Sequence, residues 1–152
     1  MLRDQLNEAL KTSMKDKDRL AVSALRLIIT AIKDRDIAAR SKGVDEGIPD
    51  DEILQVLQKM VRQRRESIEM YRKGNREELA EQEEQEIKII QRYMPRQLDA
   101  EEVENAIKLI IEETRAASIK DMGKAMGKLR ERYAGQMDFG KAGAALKARL
   151  TG

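Results

Sequence analysis

Apolar residues recur along this chain at intervals of three and four positions, which places them on one face of an α-helix. The pattern predicts four helices up to Met94 and three after Pro95, and strand-forming residues are mostly missing. We therefore expect an all-α fold. Because the second stripe is the wider of the first two, its helix is expected to lie centrally in a bundle. The first stripe comprises Leu2, Leu6, Ala9, Leu10 and Met14, and the second comprises Ala21, Leu25, Leu27, Ile28, Ile29 and Ile32.

Local signals divide the stripes of the first 94 residues into separate helices. Asp18 is placed as the N-cap of the second helix, and the glycines and proline between residues 41 and 50 indicate a loop. Gly74 is expected to end the third helix in the left-handed conformation. Asn75 and Glu78 have the spacing of a capping box for the fourth helix.

Pro95 stops the fourth helix and marks the boundary between two predicted domains. Directly after it, Asp99 with Glu102 forms the clearest capping box in the sequence. We predict an N-terminal four-helix bundle-like domain at residues 1–94 and a small three-helix C-terminal domain at residues 95–152.

The last two helices have their own start and stop signals. Ser118 with Asp121 is placed to cap the sixth helix, Gly135 to close it and Asp138 to cap the seventh. Only a few residues separate these helices, as is common in small helical domains.

The composition narrows the possible chemistry. The chain has neither Cys nor His, so the common nucleophile–base pairs and most zinc sites are excluded. Ser13 with Lys17 and Ser41 with Lys42 are formal Ser–Lys pairs, but no Gly-rich elbow or oxyanion scaffold accompanies them. We therefore expect no catalytic residues, no enzymatic activity of the chain by itself and no cofactor.

Opposite charges concentrate on the third and fourth helices. Glutamates three residues apart on a helix can bind metal, but such sites usually include His, so an ion-paired surface is the favoured interpretation and no metal is expected. We expect the charges of the two helices to neutralise each other. A nucleic-acid-binding face on the third helix is the alternative. The acids are Glu77, Glu78, Glu81, Glu83, Glu84 and Glu86; the bases are Lys59, Arg62, Arg64, Arg65, Arg72 and Lys73.

The segment after residue 117 is strongly basic, with eight Lys and Arg against three acids. At about 100° per residue, Lys120, Lys124 and Lys128 fall within an arc of about 80° on the sixth helix. Gly123 and Gly127 lie beside these lysines. Each glycine costs a helix about 1 kcal/mol relative to Ala, so the pair calls for a function.

Two functions suit this pattern, and the sequence does not decide between them. The glycines and lysines could admit a sugar-phosphate backbone, or the glycines could admit a neighbouring helix. The candidate RNA-binding residues are Lys120, Gly123, Lys124, Gly127, Lys128, Lys141 and Lys147. Because single-strand binders stack bases on aromatic rings and this domain has only Tyr133 and Phe139, a folded RNA such as tRNA is the better candidate.

The N-terminus is amphipathic and acidic, without the apolar core of a secretory signal, and no apolar run is long enough to span a membrane. Together with the lack of Cys, these features predict a cytoplasmic protein without a membrane partner.

Several motifs resemble those of the YqeY-like family. They are Tyr93-Met94-Pro95-Arg96-Gln97-Leu98, Met122-Gly123-Lys124-Ala125-Met126-Gly127, Leu25-Arg26-Leu27 and Arg64-Arg65-Glu66-Ser67-Ile68, with a basic final helix. The resemblance implies a four-helix and a three-helix domain, the latter shared with the tail of the B subunit of glutamine-dependent tRNA amidotransferase, where it contacts tRNA. The family is linked to carbon–nitrogen ligation with glutamine as amide donor, but the kinase-like cradle of that subunit has no counterpart here.

The leading hypothesis is a non-catalytic accessory protein that binds tRNA, or a tRNA-amidotransferase or synthetase complex. The alternative is a protein–protein interaction scaffold without direct RNA contact. An amidotransferase-type enzyme is disfavoured because the sequence offers neither a nucleophile–base pair nor a nucleotide-binding loop.

Overall fold

The computed structural model describes residues 1–151, and every regular element in this range is helical, which confirms the all-α prediction. No helix in this range is both long and apolar enough to cross a membrane. The chain forms two compact units, one from Met1 to Met94 and one that begins at Pro95. The helices are α1 (Leu2–Lys15), α2 (Arg19–Arg40), α3 (Asp50–Lys73), α4 (Glu77–Gln91), α5 (Ala100–Thr114), α6 (Met122–Arg132) and α7 (Phe139–Thr151), with a short 3-10 helix (Ile119–Asp121) before α6.

The first unit packs α1 to α4 around an aliphatic core. Asp18 caps α2 as predicted, because its side chain accepts a hydrogen bond from the backbone N–H of Ala21. Two side chains of the predicted stripes are largely exposed: Met14 is 50% exposed and Leu27 is 47% exposed. The fully buried large side chains of the unit are Leu6, Leu25, Ile28, Ile53, Leu57 and Ile90.

A polar clamp joins the start of the chain to the loop between α2 and α3. The guanidinium of Arg3 donates two hydrogen bonds to the carboxylate of Asp36 at 2.8 and 3.0 Å, and a third to the carbonyl of Ile48. Asp36 also accepts from the backbone N–H of Ile48 at 2.9 Å. The hydrogen bond from Arg3 holds the pKa of Asp36 below its ordinary value.

The turn between α3 and α4 differs from the prediction. Gly74 has φ of −91°, and Asn75 is the residue with positive φ, at 58°. The backbone N–H of Asn75 donates a hydrogen bond to the carbonyl of Arg72, and the N–H of Arg76 donates one to the carbonyl of Tyr71. This pair of hydrogen bonds defines a Schellman motif. Asn tolerates the left-handed conformation, so it ends α3 instead of capping α4, and the predicted capping box does not form.

The second unit begins with the predicted capping box. Asp99 accepts from the backbone N–H of Glu102, and Glu102 accepts from that of Asp99. Arg96 binds the same glutamate through both of its terminal nitrogens, at 2.9 and 2.6 Å. The hydrogen bonds from Arg96 and then from the backbone of Asp99 lower the pKa of Glu102 to about 2.

The sixth helix begins a few residues later than predicted. The predicted capping box of Ser118 and Asp121 forms, but it caps the 3-10 helix, and α6 begins only at Met122. Gly135 has φ of +75° in the turn after α6, and Asp138 accepts from the backbone N–H of Gly140 at the start of α7, as predicted. The core of the unit is formed by Ala106, Ile107, Ile110, Ala125, Met126, Leu129, Met137, Ala142 and Leu146.

Candidate nucleic-acid interface

Helix α6 has one buried face and one exposed face. Ala125, Met126 and Leu129 are buried in the core of the second unit. The exposed side of the helix carries the two glycines and two of the three lysines singled out in the sequence, namely Gly123, Lys124, Gly127 and Lys128. The helix therefore uses its apolar stripe for folding and leaves its glycine and lysine positions at the surface.

The space beside the two glycines of this exposed side is open in residues 1–151. A Cβ atom built on Gly123 or Gly127 would meet nothing within 4 Å. Gly143 on α7 is different, since its Cβ would lie 3.5 Å from Cε of Met126. Close helix packing within the second unit therefore uses Gly143, whereas no element of the described chain fills the space above Gly123 and Gly127.

The lysines differ from the nearby arginines in their partners. Arg132 forms a salt bridge with Glu113 at 2.7 Å, and Arg149 forms one with Glu104. In residues 1–151, no carboxylate lies within 4 Å of the ammonium group of a candidate lysine. Glutamates of α5 thus neutralise Arg132 and Arg149, whereas the charges of the candidate lysines remain at the surface.

The charge on the exposed side of α6 is not uniform. Glu131 is exposed and lies about 20° from Lys124 around the helix, so it reduces the local positive potential. Arg130 was not among the candidate residues, although it lies about 20° from Gly123 on the side away from the lysines. The angular positions on a helical wheel would have identified it. Cations therefore border the glycine stripe on both sides.

The remaining candidates do not form one row with these residues. Lys120 is exposed but lies in the 3-10 helix, so the 100° spacing that grouped it with Lys124 does not hold there. Lys141 and Lys147 are exposed on α7 and about 120° apart around it. The structure groups the glycines with Lys124 and Lys128, and leaves the α7 lysines as separate charges.

Two cations of the alternative basic helix, α3, have carboxylate partners on α4. Lys59, Arg62 and Arg65 form no salt bridge in residues 1–151. Arg64 donates to Glu86 at 2.9 Å and lies 3.8 Å from Glu83, and Arg72 contacts Glu77 and Glu84. Burial and the neighbouring Glu86 raise the pKa of Glu83. These ion pairs follow the predicted neutralisation between the two helices. No group of three or more potential metal ligands occurs in the described part of the chain.

Comparison with curated proteins finds relatives that carry the same name, "Altered inheritance of mitochondria protein 41, mitochondrial". The relative from Vanderwaltozyma polyspora is 38% identical over 89 residues, or 59% of this chain and 46% of its own length. The relative from Kluyveromyces lactis is 35% identical over 88 residues, or 58% of this chain and 45% of its own length. The match thus spans less than half the length of these relatives.

These names correct the expected location. They point to mitochondria and contradict the cytoplasmic location predicted from the sequence. The prediction depended on the lack of a secretory signal, of a membrane span and of cysteine. None of these features separates a cytoplasmic protein from a mitochondrial one, which explains the error.

The match to a family extends much further along the chain than the match to these relatives. The family model described as Yqey-like protein covers residues 3–150, and so includes all four motifs that suggested the resemblance. The chain belongs to the Yqey-like protein family.

Proposed function

We propose that the chain is a non-catalytic module that binds folded RNA, with tRNA as the ligand, through the exposed side of α6. The observation that carries this proposal is the combination of open glycines with lysines that form no salt bridge in residues 1–151. Glu113 and Asp121 attract Lys128 and Lys124 from a longer distance, which leaves the lysine side chains free to contact phosphates. Gly123 and Gly127 leave space above the helix backbone, and Lys124 and Lys128 border that space. A sugar-phosphate backbone needs both features, because its phosphates take cations and its bulk needs an open approach.

The arrangement favours a double-stranded or otherwise folded RNA. Recognition of single strands relies on stacking, and the only aromatic side chains of the second unit, Tyr133 and Phe139, pack against its core. Lysines on one helix face can follow a phosphate backbone without reading base edges. Lys120, Lys141 and Lys147 then supply additional phosphate contacts at the margins.

In this role the chain associates with an enzyme and catalyses no reaction itself. Association with a tRNA-amidotransferase or synthetase complex is supported by the family's link to the tail of the amidotransferase B subunit. The sequence has no Cys or His to serve as nucleophile or base. In such a complex, the second unit would hold the tRNA while the partner performs the chemistry.

The test is fluorescence anisotropy of labelled total tRNA with the full chain at 50 and 200 mM salt. We expect affinity to fall steeply with salt, and the K124E/K128E double variant to lose most binding and about two units of the salt slope. The matched control is R62E/R65E, which reverses two exposed cations on α3. Binding that is absent, independent of salt, or equally reduced by both double variants contradicts the proposal.

A partner helix is the second candidate for the same surface, and the open space above Gly123 and Gly127 favours it as well. Pull-down from a lysate with and without nuclease separates the two candidates. Capture that survives nuclease, is lost in G123L/G127L and is retained in K124E/K128E supports the scaffold. Capture that nuclease abolishes supports RNA binding.

A further inference from the structure

A groove on the first unit is separate from the surface proposed for RNA. It lies between the end of α1 and the outer face of α2 and has a volume of about 630 Å³. This volume is in the range of known ligand sites, which extends from about 300 to 1,000 Å³. Its walls include Met14 near the end of α1, Lys17 in the turn that follows, and Val22 and Leu27 from α2.

The groove is lined by apolar side chains that the hydrophobic pattern assigns to a core. Met14 and Leu27 are about half exposed, and Val22 between them is only partly buried. Burial of an apolar side chain is favourable roughly in proportion to the area removed from water, so two half-exposed side chains leave part of that free energy unused. The helical stripe thus continues onto a face that no element of residues 1–151 covers.

The shape of the groove suits a helix. Its α2 residues recur at intervals of three and four, from Arg19 to Thr30. At 1.5 Å per residue this stripe is about 16 Å long, or three helical turns. Grooves that bind amphipathic helices present such a row of apolar contacts, into which side chains at i, i+3, i+4 and i+7 insert.

The charge around the groove selects among possible helices. Lys17, Arg19 and Arg26 line it, and none of its lining residues is acidic. No carboxylate of residues 1–151 lies within 4 Å of these three cations. A second copy of the chain using the same face would bring like charges together, which disfavours a symmetric dimer.

We propose that this groove docks an amphipathic helix of a partner protein, with an apolar stripe that contacts Met14, Val22 and Leu27 and flanking Asp or Glu residues that meet the three cations. The apolar contacts supply affinity, and the cations fix the choice and orientation of the partner. None of the residues that line the groove belongs to the surface proposed for RNA.

The probe is a designed 14-residue helical peptide with leucines at i, i+3, i+7 and i+10 and glutamates beside them, labelled for fluorescence anisotropy. The reference is the same peptide with lysines in place of the glutamates. We expect the acidic peptide to bind the full chain and the basic one to bind at least tenfold more weakly. ¹⁵N NMR shifts should be concentrated on the end of α1 and the first three turns of α2.

Matched variants of α2 locate the site. L27S and R26E should each weaken binding of the acidic peptide about tenfold. I37S and K33E are the controls, because Ile37 and Lys33 are also exposed on α2 but do not line the groove. All four positions are at the surface, so thermal melts by circular dichroism should differ little from that of the parent chain.

Several results would overturn the proposal. They are equal binding of the acidic and basic peptides, equal effects of the groove variants and their controls, and NMR shifts confined to other helices. Binding of phosphatidylglycerol vesicles that L27S abolishes, in the absence of peptide binding, would assign the groove to lipid. A dimer in sedimentation that L27S dissociates would assign it to a second copy.

Discussion

The hairpin of α3 and α4 and the exposed side of α6 are both rich in cations, and they use them differently. In the hairpin, Arg64 and Arg72 reach carboxylates on the facing helix. On α6, Lys124 and Lys128 have no carboxylate within 4 Å in the described chain, and the backbone beside them is open. A basic segment therefore suggests a binding surface only where the fold leaves its charges without partners.

Burial sharpens the contrast. The side chains of Arg64 and Glu86 are 13% and 14% exposed, so their ion pair has lost most of its water. Removing one partner of such a pair leaves a charge that neither water nor protein compensates. The lysines of α6 remain hydrated, so replacing one costs the fold little and changes mainly what the surface attracts. Mutations at the two places should therefore have opposite consequences for stability and binding.

The largest expected effect is on stability, at the hairpin. Replacing Arg64 with Leu leaves Glu86 and Glu83 without their partner, and we expect a loss of about 2 to 3 kcal/mol in the free energy of unfolding. Urea denaturation followed by circular dichroism measures it. Arg65→Leu is the matched control, because Arg65 is exposed and no carboxylate of residues 1–151 lies within 4 Å of it. Equal free energies of unfolding for the Arg64→Leu and Arg65→Leu variants would contradict a stabilising role of the ion pairs of Arg64.

The next effect is expected for Gly127→Ala on α6, where fold stability and tRNA affinity should change in opposite directions. Ala in place of Gly127 meets no other element within 4 Å in residues 1–151 and has the higher helix propensity, so we expect a gain of about 1 kcal/mol in stability. If RNA approaches the backbone here, the same change weakens tRNA binding severalfold. Gly143→Ala, where a neighbour already lies at 3.5 Å, serves as the comparison for packing. A stabilised Gly127→Ala variant with unchanged tRNA affinity would contradict close approach at this position.

The smallest effect concerns the pH dependence of stability and the carboxylate of Glu102, which pairs with Arg96 in the second unit. The pKa of Glu102 is about 2 in the folded chain, below the ordinary value of 4.5. A depressed carboxyl pKa stabilises the fold above the unfolded pKa, so this contribution is complete above about pH 4.5 and is lost as pH falls towards 2. Side-chain NMR titration and melts of the parent and Glu102→Gln chains measure it. A Glu102 midpoint near 4.5 would refute the paired state.

Much of the fold was predictable because its signals are local. Helical periodicity gave the all-α class, and the caps at Asp18, Asp99 and Asp138 form as expected. Each cap depends on the geometry of three or four consecutive residues, so the sequence contains nearly all the information required. The predicted ion pairing of α3 with α4 also followed from adjacent segments of opposite charge.

Other features depend on choices that the local sequence leaves open. Gly74 and Asn75 can both adopt positive φ, and the hydrogen bonds of the Schellman turn select Asn75. Exposure depends on which elements pack together, so periodicity alone assigned Met14 and Leu27 to the core. For the same reason, the sequence could not decide whether Gly123 and Gly127 admit a helix of the chain or remain open.

The clamp of Arg3 and Asp36 divides the α2–α3 connection into two parts with different tolerance to insertion. Gly47 has φ of +91°, and a Cβ there would lie 2.7 Å from Nη2 of Arg3, so both the backbone and the space at this position are fixed. At Gly43, in contrast, a Cβ would meet no atom of the described residues within 4 Å, apart from its own chain neighbours. Engineered tags or linkers should therefore be accepted around residues 42–45, whereas an insertion beside Gly47 would separate the start of the chain from its anchor.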